Sequence, residues 1–488
     1  MPNDQAALDL TDIQGNILRG YRHQKFARFM PFRILSAREG REFLGQLLPL
    51  ITPGDWGAAG RPDTTTNVAI SFSGLCALEL PYECLVTFPV EFQEGMRARA
   101  RRLGDTEDSA PENWDPPWNG DRVHLVVMVY GVSEATRQAR SDQISRIVHD
   151  INAAAGADVI APLRHQDAQW LMIDGTLTRK EHFGFLDGIS NPDVEGVPRN
   201  GPGDDIGNPN EQGVFRKIPP GEFILGYPGE GGEVAPMPLP RIFGRNGTYL
   251  VMRKLEQHVE TFRAFLDQQS SFLQQVPAGV KPKEFLAAKM MGRWQDGSPL
   301  VRYPDGPGRE PENGFGYTGD LTGAACPLGA HIRRANPRDS LGFGGKVMSR
   351  HRLIRRGIPY GTYLSHPDVD HPPGGQPEPH APAPATDEPA EQRGIMFLAY
   401  NSGIDQFEFV QETWINFGDD FQQGNDMDPI VGSRGDGRMM IPGDERTGRR
   451  PFLCWDIPRF VTTKGGDYFF VPSLTGLRLL ASGQVQVS

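Results

Sequence analysis

The chain has 488 residues, enough for about three average domains or two large ones. Hydrophobic residues make up 38% and charged residues 23%, but 58 glycines and 43 prolines put much of the chain into ordered loops, which excludes a coiled coil or a simple helical bundle. With 50 Lys+Arg against 61 Asp+Glu the formal charge is −11, which repels phosphate backbones and anionic lipid and argues against a nucleic-acid or membrane partner.

In chain order, hydrophobic patterning predicts a strand at 30–35, an amphipathic helix at 37–50 and a strand at 68–72. A helix at 92–103, a Val-rich strand at 123–130 and a helix at 133–155 follow. Later come a strand at 248–255 entered through the Asn246-Gly247 turn, and a helix whose apolar stripe is Val259, Phe262, Leu266 and Leu273. A buried strand at 395–400, a helix at 404–416 and a closing strand at 468–471 complete the series. This order predicts an α+β protein of two ferredoxin-like halves, a duplicated split βαβ plan, with domains at 1–180 and 181–488. Two stretches rich in Pro and Gly, 192–240 and 366–390, read as loop insertions in the second half. His366, His371 and His380 fall in the second loop at spacings that match no metal-ligand pattern.

Cys76, Cys84, Cys326 and Cys454 show neither C-x-x-C nor C-x-x-C-H spacing, so they read as reduced thiols. The start carries no basic residue before Arg19, and the longest apolar run, 123–129, is far short of the roughly 18 residues of a membrane helix. The expectation is a cytoplasmic protein, with non-standard secretion left open. Gly314, Gly316 and Gly319 spell a dinucleotide-type glycine pattern, but they follow loop text rather than a strand and open no long helix.

Three stretches carry chemistry. Pro327 suits a helix start and Asn336-Pro337 a stop, so His331 is predicted on a helix of about two turns, with Gly329 and Ala330 leaving room for a flat ligand. A lone histidine is more often structural than a ligand, so this segment decides nothing alone. Asp187 sits between large apolar residues and Gly188, as a turn aspartate or as an acid/base in a dry pocket. In 352–361, arginines interrupt an apolar extended segment, as surface charge or as a buried anion-stabilising group.

Gly184 to Gly188, Ala330 to Arg338 and Arg355 to Gly361, with the early Asp12 to Ile17 and the late Gln406 to Phe409, occur in one order over most of the chain. In that combination the sequence resembles the dye-decolourising peroxidases. The resemblance implies one haem b per chain, held mainly by the second half, with His331 as axial iron ligand, Asp187 as distal acid/base and Arg355 as distal arginine. It implies that Gly188, Ile189 and Ser190 lie against the macrocycle, and that Asn336, Pro337 and Arg338 contact haem or a propionate. It suggests Asp405 behind His331, with Glu408 competing, and Tyr360 as a surface electron-transfer residue, with Trp414 as another relay. The implied substrates are hydrogen peroxide and dyes, phenols or other small aromatic reductants, with oxidation best at mildly acidic pH. The competing reading is a haem-binding, iron-handling protein with little turnover. The sequence leaves the physiological reductant and the oligomeric state open.

Overall fold

The computed structural model describes residues 7–57, 60–120, 122–173, 176–198, 208–209, 215–342, 346–364, 391–421, 424, 426–433 and 437–486. The proline-rich stretch 366–390 and its histidines lie outside the described residues.

In the first half β1 (Phe26–Ile34), α1 (Ala37–Leu47), β2 (Thr64–Ile70), β3 (Leu125–Gly131), α2 (Glu134–Ala155) and a short strand, Ile160–Pro162, follow in sequence. The helices form where the pattern predicts. Gly40, Phe43, Leu44 and Leu47 make the buried stripe of α1. Ser133 caps α2 by accepting from the Thr136 N–H, and Gly156 ends it in the left-handed region at φ 66°. The strands lie in the order β2, β3, β1 and Ile160–Pro162, each antiparallel to its neighbour.

The second half repeats the plan with β4 (Thr248–Gln257), α3 (Val259–Ser270), a broken strand at Ile354–Arg355 and Ile358–Tyr360, β5 (Gly394–Asn401), α4 (Ile404–Phe409) and β6 (Val461–Val471). Its order, broken strand, β5, β4, β6, matches that of the first half. Two ferredoxin-like units thus join into one ten-stranded sheet. Within the sheet the described residues of the two units pair at one position, Phe470 on β6 with Ile70 on β2.

Alternation along the strands divides the interior. Leu125, Val127 and Val129 of β3 pack with Phe43 and Ile144 of the helices, whereas Val126, Met128 and Tyr130 face a second core with Phe29 of β1 and Leu250 of β4.

Several boundaries differ from the patterning. Ser71 and Phe72, expected in a strand, cap and open a short helix. The Asn246-Gly247 turn joins a short helix, Arg241–Gly244, to β4 rather than two strands. The helix expected at 404–416 is α-helical only to Phe409 and continues as a π-helix through Val410–Ile415. Strand β6 begins seven residues earlier than its apolar end, because polar Thr462 and Thr463 pair with β4 all the same, across a register shift that leaves Lys464 unpaired in the ladder.

Phe470 is fully buried at the junction and touches Phe88, Phe243 and Tyr249. Replacing it with alanine is expected to lower unfolding stability by about 3–5 kcal/mol, read from urea transitions.

Candidate active site

The long connections of the second half surround one cavity of about 370 Å³ against the face of the sheet that carries Leu255, Ile395, Phe397 and Val461. His331, Asp187 and Arg355 all line it, although 24 and 144 residues separate Arg355 and Asp187 from His331 along the chain.

His331 opens a helix of only five residues, His331–Ala335. Its Nδ1 lies 2.8 Å from Asp428 Oδ2. The other oxygen of Asp428 accepts the N–H groups of Ile430 at 2.8 Å and Val431 at 2.9 Å. Burial pushes this carboxyl up, but the imidazole and the two backbone donors outweigh it and hold Asp428 below the usual carboxylate range. An ionised partner assigns the proton to Nδ1 and leaves the Nε2 lone pair free for a metal. Among the described residues no group of three or more His, Cys, Asp or Glu could hold an ion.

Asp428, not Asp405, therefore backs the histidine. Asp405 is exposed on the first turn of α4, where the helix dipole favours a carboxylate. Glu408, the competitor, is buried but engaged by Arg99 at 2.5 Å and by the Tyr468 hydroxyl at 2.8 Å. Asp428 stands in loop text, 97 residues after His331, and no periodic pattern marks it.

Asp187 stands at the end of a tight hairpin. Its N–H donates to Arg179 O at 2.9 Å, Lys180 bridges Leu186, and its Oδ1 accepts from Gly188 N at 2.5 Å. Gly188, at φ 72°, and Ser190, at φ 70°, turn the chain through the left-handed region, a conformation that a glycine adopts freely. Arg355 Nη2 donates to Ile189 O at 2.7 Å. Burial lowers the Arg355 pKa, and the nearby Asp187 charge opposes that fall. Arg22, from the loop before β1, donates to Gly188 O, so the first half also touches this turn.

Gly188, Ile189, Ser190, Asn336 and Arg338 line the cavity, whereas Pro337 does not. Arg338 and Arg352 both reach Ser190, through its hydroxyl at 3.2 Å and its carbonyl at 2.8 Å, and give this end a positive character. Buried Asn336 Oδ1 and His351 Nδ1 there have no protein partner. One imidazole nitrogen facing the cavity and cations at one end fit haem, and Arg338 and Arg352 are the groups that would meet its carboxylates.

Tyr360 is not at the surface: it is 2% exposed, and its hydroxyl has no partner to take a proton. The Lys254 ammonium, 5.1 Å from the ring centroid, further opposes loss of an electron. Trp414, also 2% exposed, packs with Met348, Val410 and Ile415.

The sequence missed Glu181, a second carboxylate at the cavity. It accepts from Phe183 N and Phe185 N at 2.9 Å each and from Gln257 Nε2 at 2.6 Å, pinning the hairpin that presents Asp187. Its place six residues before Asp187, in Glu181-His182-Phe183-Gly184-Phe185, was the available signal. Burial raises its pKa from 4.5 to about 7, against those hydrogen bonds. The folded state therefore binds a proton over a window in which the unfolded chain has released it, and stability falls as pH rises from 4.5 to about 7. Glu181→Gln is expected to flatten that slope in urea midpoints measured across the window. Asp428→Asn is expected to weaken haem binding by about 10- to 100-fold in titrations of haem-free protein, with Asp405→Asn unchanged.

Comparison with known proteins adds independent findings. Residues 12–156 match the family model described as the DyP dimeric alpha+beta barrel domain. The dye-decolorizing peroxidase msp1 of Mycetinis scorodonius is 31% identical over 498 residues, covering 98% of this chain and 89% of that protein. The multifunctional dye peroxidase DyP2 of an Amycolatopsis species is 28% identical, with 98% and 97% covered. The solved structure of a dye-decolorizing peroxidase in complex with 2,6-dimethoxyphenol superposes with a TM-score of 0.75 at 27% identity, over 97% of this chain and all of the other. An ancestral D-type dye-decolorizing peroxidase gives 0.77 at 28%, over 97% and 99%. A full-length likeness at this level, on a fold and cavity of this kind, means that the chain belongs to the dye-decolorizing peroxidase family.

Proposed function

We propose that the chain reduces hydrogen peroxide at the cavity between His331 and Asp187 and oxidises small aromatic compounds, with one haem b held by His331. The observation that carries this reading is the His331–Asp428 contact at 2.8 Å, in a cavity that Asp187 and Arg355 also line. Bound haem supplies the electrons that cleave the O–O bond and recovers them from the reductant.

The chain's own residues supply position, charge and protons. The Asp428 carboxylate keeps the imidazole oriented and electron-rich. Asp187, as carboxylate, takes a proton from one peroxide oxygen and returns it to the departing one, a role worth on the order of 10²- to 10⁴-fold in rate. Arg355 is charged and anchored by the Ile189 carbonyl, and it stabilises negative charge developing on the peroxide. Gly188, Ile189 and Ser190 form the turn that brings the acid and the guanidinium to one side, and Arg338 holds a haem carboxylate.

In the same reading residues 1–180 and 181–488 are the two domains, and the repeated strand order supports a duplication. The protein works in the cytoplasm, a proposal supported by Cys76, Cys84, Cys326 and Cys454 all being free thiols. Among the described residues no helix is long and apolar enough to cross a membrane.

Asp187→Asn is expected to retain haem while slowing the peroxide reaction by about 10²- to 10⁴-fold, followed by stopped-flow absorbance of the Soret band. Loss of haem on reconstitution of the unmodified chain, or an unchanged rate in the variant, would overturn the assignment.

A further inference from the structure

The turn that follows the acid is gripped by three arginines in succession. Arg22 donates to the carbonyl of Gly188, Arg355 Nη2 to that of Ile189 at 2.7 Å and Arg352 Nη2 to that of Ser190 at 2.8 Å. All three arginines line the cavity. Arg355 and Arg352 belong to the same half as the turn, whereas Arg22 stands 166 residues before Gly188, in the loop that leads into β1 of the first half. Another crossing at the cavity wall, Asp105 with Arg253, joins two side chains. Arg22 instead takes hold of backbone.

The place it holds is the soft joint beside the acid. The peptide plane before Asp187 is fixed, because the Asp187 N–H donates to Arg179 O at 2.9 Å. The next plane carries the Gly188 N–H, which donates to Asp187 Oδ1 at 2.5 Å and so orients the carboxylate. A glycine turns easily about both backbone bonds, and Gly188, at φ 72°, leaves that plane free to swing unless its far side is held. Arg22 grips the carbonyl of the plane that follows, so the joint is clamped from both sides.

The approach is close. A Cβ at Gly188 would lie 3.2 Å from Arg22 Nη2 and 3.7 Å from its Cζ, so the absence of a side chain serves the guanidinium as well as the turn. Burial lowers the Arg355 pKa and the Arg22 charge adds to that fall, which puts the two guanidiniums within electrostatic reach of one another beside Asp187.

We propose that Arg22 is a positioning residue for Asp187: a guanidinium lent by the first half holds the Gly188 carbonyl and, through that turn, keeps the carboxylate aimed into the cavity. This role rests on the peroxidase reading, in which Asp187 moves the proton, and it makes the placement of the acid depend on the docking of the two halves.

The test is a double-substitution cycle on haem-containing protein, read as the rate at which peroxide changes the Soret band. Arg22→Ala is expected to slow that step by about 10- to 100-fold, the cost of misplacing a catalytic group by about 1 Å. In the Asp187→Asn background the same substitution is expected to cost less than about threefold, because the carboxylate through which Arg22 acts is already gone. Arg22→Lys keeps a charged donor for the carbonyl and is expected to recover most of the rate. A second readout needs no peroxide. Hydrogen–deuterium exchange of the backbone at 186–191 is expected to quicken at least about tenfold in Arg22→Ala, with exchange in α2 unchanged. Equal slowing in both backgrounds, or no slowing, overturns the role, and so does unaltered exchange at 186–191. If the alanine variant does not fold, Arg22→Gln, a shorter and neutral donor, carries the same cycle and the same exchange comparison, with slowing of about tenfold expected. A Soret band that ignores peroxide in the unmodified protein counts against the peroxidase reading itself, while the exchange result still decides whether Arg22 holds the turn.

Discussion

A buried carboxylate held ionised against one nitrogen of an imidazole is the contact from which the active site is built. Asp428 remains ionised in the interior because His331 and two backbone N–H groups meet both of its oxygens. That arrangement decides which ring nitrogen carries the proton and which one faces the cavity. A five-residue helix has little intrinsic stability, so His331 depends on this tertiary contact for its orientation.

The opposite side of the cavity relies on a different device. There the backbone does the positioning, through a hairpin closed by Asp187 N to Arg179 O and pinned by the three donors on Glu181. Arg355 and Arg22 grip the following turn through the carbonyls of Ile189 and Gly188. Because Arg22 belongs to the first half, the two ferredoxin-like units are joined at the active site as well as at the Phe470–Ile70 pair. The Asp105–Arg253 pair is another such crossing, and it lies on the cavity wall.

Hydrophobic periodicity located most of the regular elements, since the burial that stabilises a strand or helix writes its own period into the chain. It faltered where pairing rather than burial sets the limits. The polar start of β6 is held by the ladder to β4, and the helix after Asp405 widens into a π turn from Val410. Local composition marked the three stretches, and the family resemblance picked Asp187, His331 and Arg355 out of them. Tyr360 belongs to one of those stretches too, but being near the site in sequence says nothing about exposure, and its ring is covered by Lys254.

The sequence by itself determined the α+β class and the repeated order of strands and helices, because periodicity is encoded within a few residues, and its resemblance to a known family named the three groups that converge on the cavity. Only the tertiary structure decided that Asp428 rather than Asp405 backs His331, that Glu181 pins the hairpin, and that Asp105 meets Arg253. Those pairings join positions from 76 to 148 residues apart on separate loops and strands. Desolvation and hydrogen bonding act between neighbours in space, and nothing in the local sequence records which distant loop will supply the partner.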